Sequence, residues 1–249
     1  RGDSMDEVIH ELLGYQHIKI IQRPEMFSFS LDSILLADFT KIYHKTNQII
    51  DLGTGNAPIP LFLSLKTDCP IIGIEIQDEV FDMAKRSVEL NHLENQITIV
   101  HDDIKLLHKR FQPASFDIVT CNPPYFKVTP ESIKNKNDYL TVARHEVLVN
   151  LDDILKTARH LLKNNGELNM VHRAERLEEI IIKLHESHFS IKRLRFVYPK
   201  KGKEANAVLI EAKNNGSPGS MKMLEPLYVL DESNQYTKEI LSIFNFGKQ

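Results

Sequence analysis

Between residues 49 and 212, short apolar runs rich in β-branched residues alternate with segments whose apolar positions recur at helical spacing. Gln48–Asp51 reads as a strand that runs into Asp51-Leu52-Gly53, and Pro58–Lys66 as a short helix with proline tolerated in its first turn. A second strand is predicted over Ile71–Ile76. A helix over Asp78–Asn91 follows, with Val80, Phe81, Ala84, Val88 and Leu90 as its apolar positions and Asp78 as its N-cap. Ile97–Val100 and Phe116–Cys121 are the third and fourth strands, the fourth leading directly into Asn122-Pro123-Pro124-Tyr125. Leu151–Leu162 reads as a helix that stops at Asn164-Asn165-Gly166, a C-cap signal. Glu167–His172 is the fifth strand and Glu175–His188 the next helix. Ile191–Tyr198 and Ala205–Ala212 then follow with no helix between them, which predicts an antiparallel hairpin at the sheet edge.

Alternation of strand and helix calls for a mostly parallel sheet covered on both faces. The predicted fold class is therefore α/β: a doubly wound, seven-stranded, mostly parallel sheet with a terminal antiparallel hairpin. Residues 5–48 are expected to form an N-terminal extension packed on this core, with a helix-like segment at Leu31–Phe39. Residues 49–212 form the core, and 213–249 a C-terminal extension in which a loop at Asn214–Ser220 precedes an edge strand and a short helix.

Composition narrows the setting. With 42% hydrophobic residues in 249, the chain can bury a core without staples. Cys69 and Cys121 sit in apolar or strand-like runs without metal-ligand spacing, which points to a reduced, cytoplasmic environment. No run approaches the ~18 apolar residues of a membrane span, and Arg1-Gly2-Asp3-Ser4 ahead of Met5 carries no apolar signal core. The net charge is -3, so contact with nucleic acid must come from local patches. Lys192–Lys203 is such a patch, with six basic residues and no acidic one, although a solvated face is the default reading of a charge run.

In open α/β sheets, ligands bind beyond the carboxyl ends of the strands. There the first strand offers Asp51-Leu52-Gly53-Thr54-Gly55-Asn56-Ala57, whose glycines allow a tight turn and close backbone approach. Alone, this loop suits NAD, a flavin, S-adenosylmethionine (AdoMet) or a plain turn. Glu75 ends the second strand, 24 residues after Asp51, where a carboxylate can accept from both hydroxyls of a ribose. Asp103-Ile104 follows the third strand, where an acid can accept from an adenine amino group and an apolar neighbour can cover the ring. Pro58 stands where a dinucleotide loop has its third glycine, which argues against NAD.

The fourth strand end carries the reacting chemistry. An exocyclic amine on an aromatic ring is a poor nucleophile because its lone pair is delocalised. Acceptors on its two N–H groups localise that pair, and the Asn122 side-chain carbonyl and the Pro123 carbonyl, stiffened by two prolines, can supply them. Tyr125 would hold a base by stacking, worth roughly 1–3 kcal/mol. Transfer then depends chiefly on positioning, and a sulfonium methyl is electrophilic without help from a metal, so none is expected.

On these residues the chain resembles the Asn-Pro-Pro-Tyr family of class I (Rossmann-like) AdoMet-dependent methyltransferases, and within it the methyltransferase small domain group. The likeness runs from about Leu13 to Val229 and includes Phe27-Ser28-Phe29-Ser30-Leu31-Asp32-Ser33-Ile34-Leu35-Leu36-Ala37 and Ala143-Arg144-His145-Glu146. It implies methylation of an exocyclic amine, adenine N6 in a tRNA anticodon loop, with Asn122, Pro123 and Tyr125 serving the amine. Asp51, Gly53, Gly55, Glu75, Asp103 and Ile104 would hold AdoMet. One departure is Ala57, where the family usually has Gly; a Cβ is acceptable there only if φ is negative. The apolar residue that usually follows is Pro58.

The same chemistry serves guanine N2 of ribosomal RNA, glutamine side chains of proteins and adenine N6 of DNA. Only about 44 residues separate Met5 from the first strand, against the sizeable helical domain of the glutamine enzymes, and no target-recognition insert of the DNA enzymes is visible. An RNA loop, whose bases are already unstacked, suits a short enzyme. Lys127, Lys134, Lys136, Arg144, His145 and the Lys192–Lys203 run are the candidates for phosphate contact. A non-catalytic RNA-binding relative of the fold and an NAD-dependent oxidoreductase are the alternatives of other classes. The sequence gives no signal of oligomeric state.

Overall fold

The computed structural model describes residues 7–12, 15–23, 30–123 and 150–246. A nine-stranded sheet forms its centre. The strands that carry the core are β3 (Ile49–Leu52), β4 (Ile71–Glu75), β5 (Ile97–His101), β6 (Phe116–Cys121), β7 (Leu162–Arg173), β8 (Phe189–Lys200) and β9 (Ala207–Asn214), after an N-terminal hairpin of β1 (Val8–Leu12) and β2 (Tyr15–Gln22). Across the sheet they run β5-β4-β3-β6-β7-β9-β8. All neighbours from β5 to β7 are parallel, while β9 lies antiparallel between β7 and β8. This is the expected seven-stranded α/β arrangement.

Two further strands extend it. β10 (Lys222–Met223) and β11 (Leu227–Leu230) both pair parallel with β8, so the β8–β9 hairpin is not at the sheet edge. The expected hairpin is real, but the C-terminal segment covers its outer strand. That segment is held by the same basic run that sequence reasoning offers to phosphate. Lys192 donates to the Ser217 and Gly219 carbonyls, Arg195 to the Glu225 carbonyl and the Glu239 carboxylate, and Lys200 to the Glu232 carbonyl and Asn234. Arg193 is buried against Glu211. Only Lys201 and Lys203, in the exposed turn after β8, keep the character of a free basic patch.

Helices cover both faces: α1 (Leu31–Phe39), α2 (Pro58–Leu63), α3 (Asp78–Leu90), α4 (Leu151–Leu161), α5 (Leu177–Glu186) and α6 (Lys238–Phe244). One apolar cluster joins α1, α2 and α6 to Ile49, Ile118, Val171 and Leu209. A second joins α4 and α5 to Ile50, Leu52, Val119, Leu168 and Ile210. Adjacent residues of one strand thus serve opposite clusters, as the pleat requires.

Local readings are corrected at three places. The N-cap of α3 is Gln77, and Asp78 is its first helical residue; the Gln77 N–H is taken by the Glu75 carboxylate instead. Within α3, Leu90 is 36% exposed, and Met83 and Ser87 take its expected place in the buried face. Asn164-Asn165-Gly166 does not cap a helix: α4 ends at Leu161, and the left-handed Asn165 (φ 60°) bends the chain inside β7 at the register shift against β6.

Candidate active site

The carboxyl ends of β3, β4, β5 and β6 lie side by side. Asp51 is in register with Gly73 on one side and Thr120 on the other, and Leu52 with Cys121, so Gly53 and Asn122 leave adjacent strands at the same level. The Gly53–Ala57 loop turns through three left-handed residues, Gly53 (φ 67°), Gly55 (φ 60°) and Ala57 (φ 71°). The negative φ that would make a Cβ acceptable at Ala57 is therefore not what the chain adopts. Ala57 N-caps α2 in the left-handed region, fully buried, at a cost of roughly 1–2 kcal/mol.

The loop is braced from several sides. Thr54 N–H donates to the Ile74 carbonyl (2.7 Å), and Gly55 N–H to Glu75 Oε2 (3.0 Å). Asn56 Nδ2 donates to the Ile21 carbonyl (2.9 Å), which ties the N-terminal hairpin to this loop. Glu75 is 7% exposed, and its Oε1 accepts from both Ile76 and Gln77 N–H. Burial raises its pKa, and these backbone donors act against the rise. Oε2 accepts one of these bonds and retains capacity for a hydroxyl donor.

Asp51 is wholly buried. Thr120 Oγ1 donates to its Oδ1 (2.7 Å), and the Thr54 side chain also acts on this carboxylate as a hydrogen-bond donor that lowers its pKa. Burial pushes its pKa up to about 7. Beyond β5, Ile104 is 8% exposed, and its Cδ1 lies 3.9 Å from the point a Cβ on Gly53 would occupy, the one contact there among the described residues. Asp103 N-caps a short 3-10 helix, accepting from Lys105 N–H (2.9 Å). Asp51, Gly53, Gly55 and Glu75 stand at or just beyond the ends of β3 and β4, and Asp103 and Ile104 just beyond β5. A buried carboxylate, a hydroxyl acceptor and an apolar wall beside Gly53 fit a ligand with cationic, ribose and flat aromatic parts.

At the neighbouring strand end, Asn122 Nδ2 donates to Ser33 Oγ (2.8 Å) and Ser30 Oγ (3.3 Å), both from the start of α1. Pro123 is buried behind it. Tyr125, Lys127, Lys134, Lys136, Arg144 and His145 lie outside the described residues. Sequence reasoning missed Ser30, Ser33, Thr54, Gly73 and Thr120. Thr120 was within reach, because alternation along β6 places it on the face of Asn122; the serines required the path of α1 over the sheet. Among the described residues, no group of three or more His, Cys, Asp or Glu side chains is arranged to hold a metal ion, and no helix is long and apolar enough to cross a membrane.

The strand order and the loop at its first carboxyl end define a class I methyltransferase. The chain belongs to the methyltransferase domain family, whose model matches residues 43–242, and its methyl donor is AdoMet. It is 25% identical over 209 residues to the tRNA1(Val) (adenine(37)-N6)-methyltransferase of Actinobacillus pleuropneumoniae serotype 5b, covering 83% of this chain and 84% of that one. The enzyme of the same name from Histophilus somni is 27% identical over 214 residues, covering 85% and 86%. Among solved structures, a predicted O-methyltransferase from Agrobacterium tumefaciens superposes with a TM-score of 0.68 at 20% identity, covering 86% of this chain and 96% of that one. The M. jannaschii tRNA m1G37 methyltransferase superposes at 0.57 and 13% identity, covering 87% and 57%.

Proposed function

We propose that this methyltransferase acts on an exocyclic amino group, adenine N6 at the anticodon-loop position of a tRNA, in the cytoplasm. The observation that carries the reading is the orientation of Asn122: with Nδ2 turned to the two serines, Oδ1 is left as the acceptor. Residues 49–212 are the catalytic unit in this reading, and 5–48 and 213–249 are extensions packed on it.

AdoMet supplies an electrophilic methyl group on a sulfonium. The chain's own residues do the rest. The Asp51 carboxylate would face the ammonium of the cofactor's amino-acid part, Glu75 Oε2 would accept from the ribose, and Asp103 and Ile104 would take the amino edge and face of its adenine. Asn122 Oδ1 and the Pro123 carbonyl would accept the two N–H bonds of the target amine, turning its lone pair out of the ring and toward the methyl carbon. These acceptors act most strongly when the nitrogen begins to carry positive charge, so they favour the transition state over the bound substrate. Once methylated, the nitrogen is a strongly acidic ammonium and loses its proton without a strong base.

RNA as substrate is supported by the names of the curated relatives. Lys127, Arg144 and His145 follow the Asn-Pro-Pro-Tyr motif, and we assign phosphate contact to them from that position. Incubating the protein with labelled AdoMet and total RNA from a strain lacking the gene, then digesting the RNA for mass spectrometry, tests the reading. Label in N6-methyladenosine of the tRNA fraction is expected. Label in N2-methylguanosine, or in protein glutamine alone, would replace it with one of the related chemistries, and cofactor binding without transfer to any acceptor would favour a non-catalytic relative.

A further inference from the structure

We infer that Ser33, on a helix remote in sequence from the Asn-Pro-Pro-Tyr motif, is a positioning residue that sets which end of the Asn122 amide faces the substrate. The inference rests on the reading of Asn122 as acceptor for the target amine.

A primary carboxamide has two ends of nearly equal size and opposite polarity. Turned one way, Asn122 presents an acceptor to an incoming NH2; turned the other, it presents two donors that repel it. Nothing in the shape of the side chain selects between them. Selection has to come from the groups behind it, and here two serine hydroxyls accept from Nδ2; a hydroxyl can also donate, so the selection holds as long as their own protons point away from Asn122. Ser33 is 6% exposed, sits in the first turn of α1 and lies 2.8 Å from Nδ2; Ser30, the helix N-cap, lies 3.3 Å away. The two N–H groups of one amide are thus met by two hydroxyl oxygens. Ser30 Oγ also takes the Ser33 N–H (3.4 Å), which joins the cap of the helix to the same arrangement.

The helix that carries these serines is itself fixed at its far end. Arg193, paired with Glu211 on β9, donates to the Phe39 carbonyl (2.7 Å), with its guanidinium 4.0 Å from the centre of the Phe39 ring. Lys66 Nζ donates to the Ala37, Asp38 and Thr40 carbonyls. Burial brings the Lys66 pKa down to about 8, so near neutral pH the ammonium still caps the end of α1. Arg193 and Lys66 locate the helix on the sheet, and the helix brings Ser33 to Asn122. A preorganised acceptor needs such support, because a reacting group misplaced by about 1 Å can cost about a hundredfold in rate.

The test is a double-mutant cycle on single-turnover methyl transfer to unmodified tRNA, with AdoMet affinity, RNA affinity and Tm measured on each variant. Ser33→Ala is expected to slow transfer about tenfold or more, with both affinities within about twofold of the parent. Ser33→Thr, which keeps the hydroxyl, should recover most of the rate. Asn122→Ala should be far slower than either, and adding Ser33→Ala to it should cause no further loss, because the two residues act as a unit. Parental rates in Ser33→Ala while Asn122→Ala is inactive would overturn the positioning role and leave the acceptor reading intact. So would an equal slowing by Ser33→Ala in both backgrounds, or a fall in Tm with loss of cofactor affinity. Parental rates in Asn122→Ala would remove the reading on which the inference stands.

Discussion

Thr120 on β6 donates its hydroxyl to Asp51 Oδ1 on β3 at 2.7 Å, between two side chains with no solvent exposure. With the Thr54 side chain it opposes the effect of burial on this carboxylate, and burial outweighs both. A site of this kind is costly when empty and charged, which is why burial brings the Asp51 pKa to about 7. It becomes favourable when a cation arrives.

Cofactor affinity should therefore depend on pH. The folded pKa of Asp51 lies above its ordinary carboxylate value, so between about pH 4 and 7 the cofactor-free protein holds a proton that the unfolded chain has lost. That contribution to stability is fully present in acid and is lost as pH rises through about 7. Binding a cationic ligand requires the deprotonated form, so AdoMet should bind roughly five- to tenfold more weakly at pH 6 than at pH 7.5. Calorimetry at the two pH values measures this, and Asp51→Asn should bind weakly and lose most of the dependence. A flat profile in the parent would place the titration elsewhere.

Ala57 carries strain that glycine would relieve. Its φ of 71° costs an L-residue roughly 1–2 kcal/mol, against roughly 0.5–1 kcal/mol for the greater unfolded-state freedom of glycine. Ala57→Gly should therefore raise stability by up to about 1 kcal/mol, or about 2–4 °C in Tm. Ala57→Val, branched at Cβ in the same region, should lower it. A lower Tm in the glycine variant would show that the buried methyl outweighs the strain.

Gly73 packs beneath Thr54 of the Gly53–Ala57 loop. A Cβ there would lie 2.9 Å from both Thr54 Cγ2 and Oγ1 and 3.0 Å from Ile99 Cδ1. Thr54 is short and belongs to the loop, so it must move. Gly73→Ala should cost about 1–3 kcal/mol of stability and weaken AdoMet binding, although Gly73 itself is not among the residues assigned to the cofactor. Unchanged affinity on titration of the folded variant would mean that the loop absorbs the methyl without altering its binding shape.

The fold was legible because alternation of strand and helix survives in hydrophobic pattern alone, from Ile49–Leu52 through to the hairpin of β8 and β9. The C-terminal strands were less so: Lys222–Met223 is a two-residue strand whose existence depends on the exposed edge of β8, a long-range fact. The Gly53–Ala57 loop was legible as a glycine turn at a strand end. Its conformation was not, since nothing local forces an alanine into the left-handed region; the bracing by Glu75, Ile74 and Ile21 does. The bonds of Lys192, Arg195 and Lys200 to the C-terminal segment were not legible, because charge along a strand does not show which carbonyls lie beside it. Ser33 lay in a segment tied to the family by resemblance, but its contact with Asn122 spans 89 residues of sequence and appears only in three dimensions.

In the proposed reaction Asn122 is the acceptor that prepares a planar amine for methylation. The most direct measurement compares Asn122→Ala with the parent in single-turnover methyl transfer and in AdoMet binding. A rate lower by roughly a hundredfold or more, with cofactor affinity unchanged, is the predicted result. Loss of AdoMet affinity in proportion to rate, or transfer at the parental rate, would contradict it.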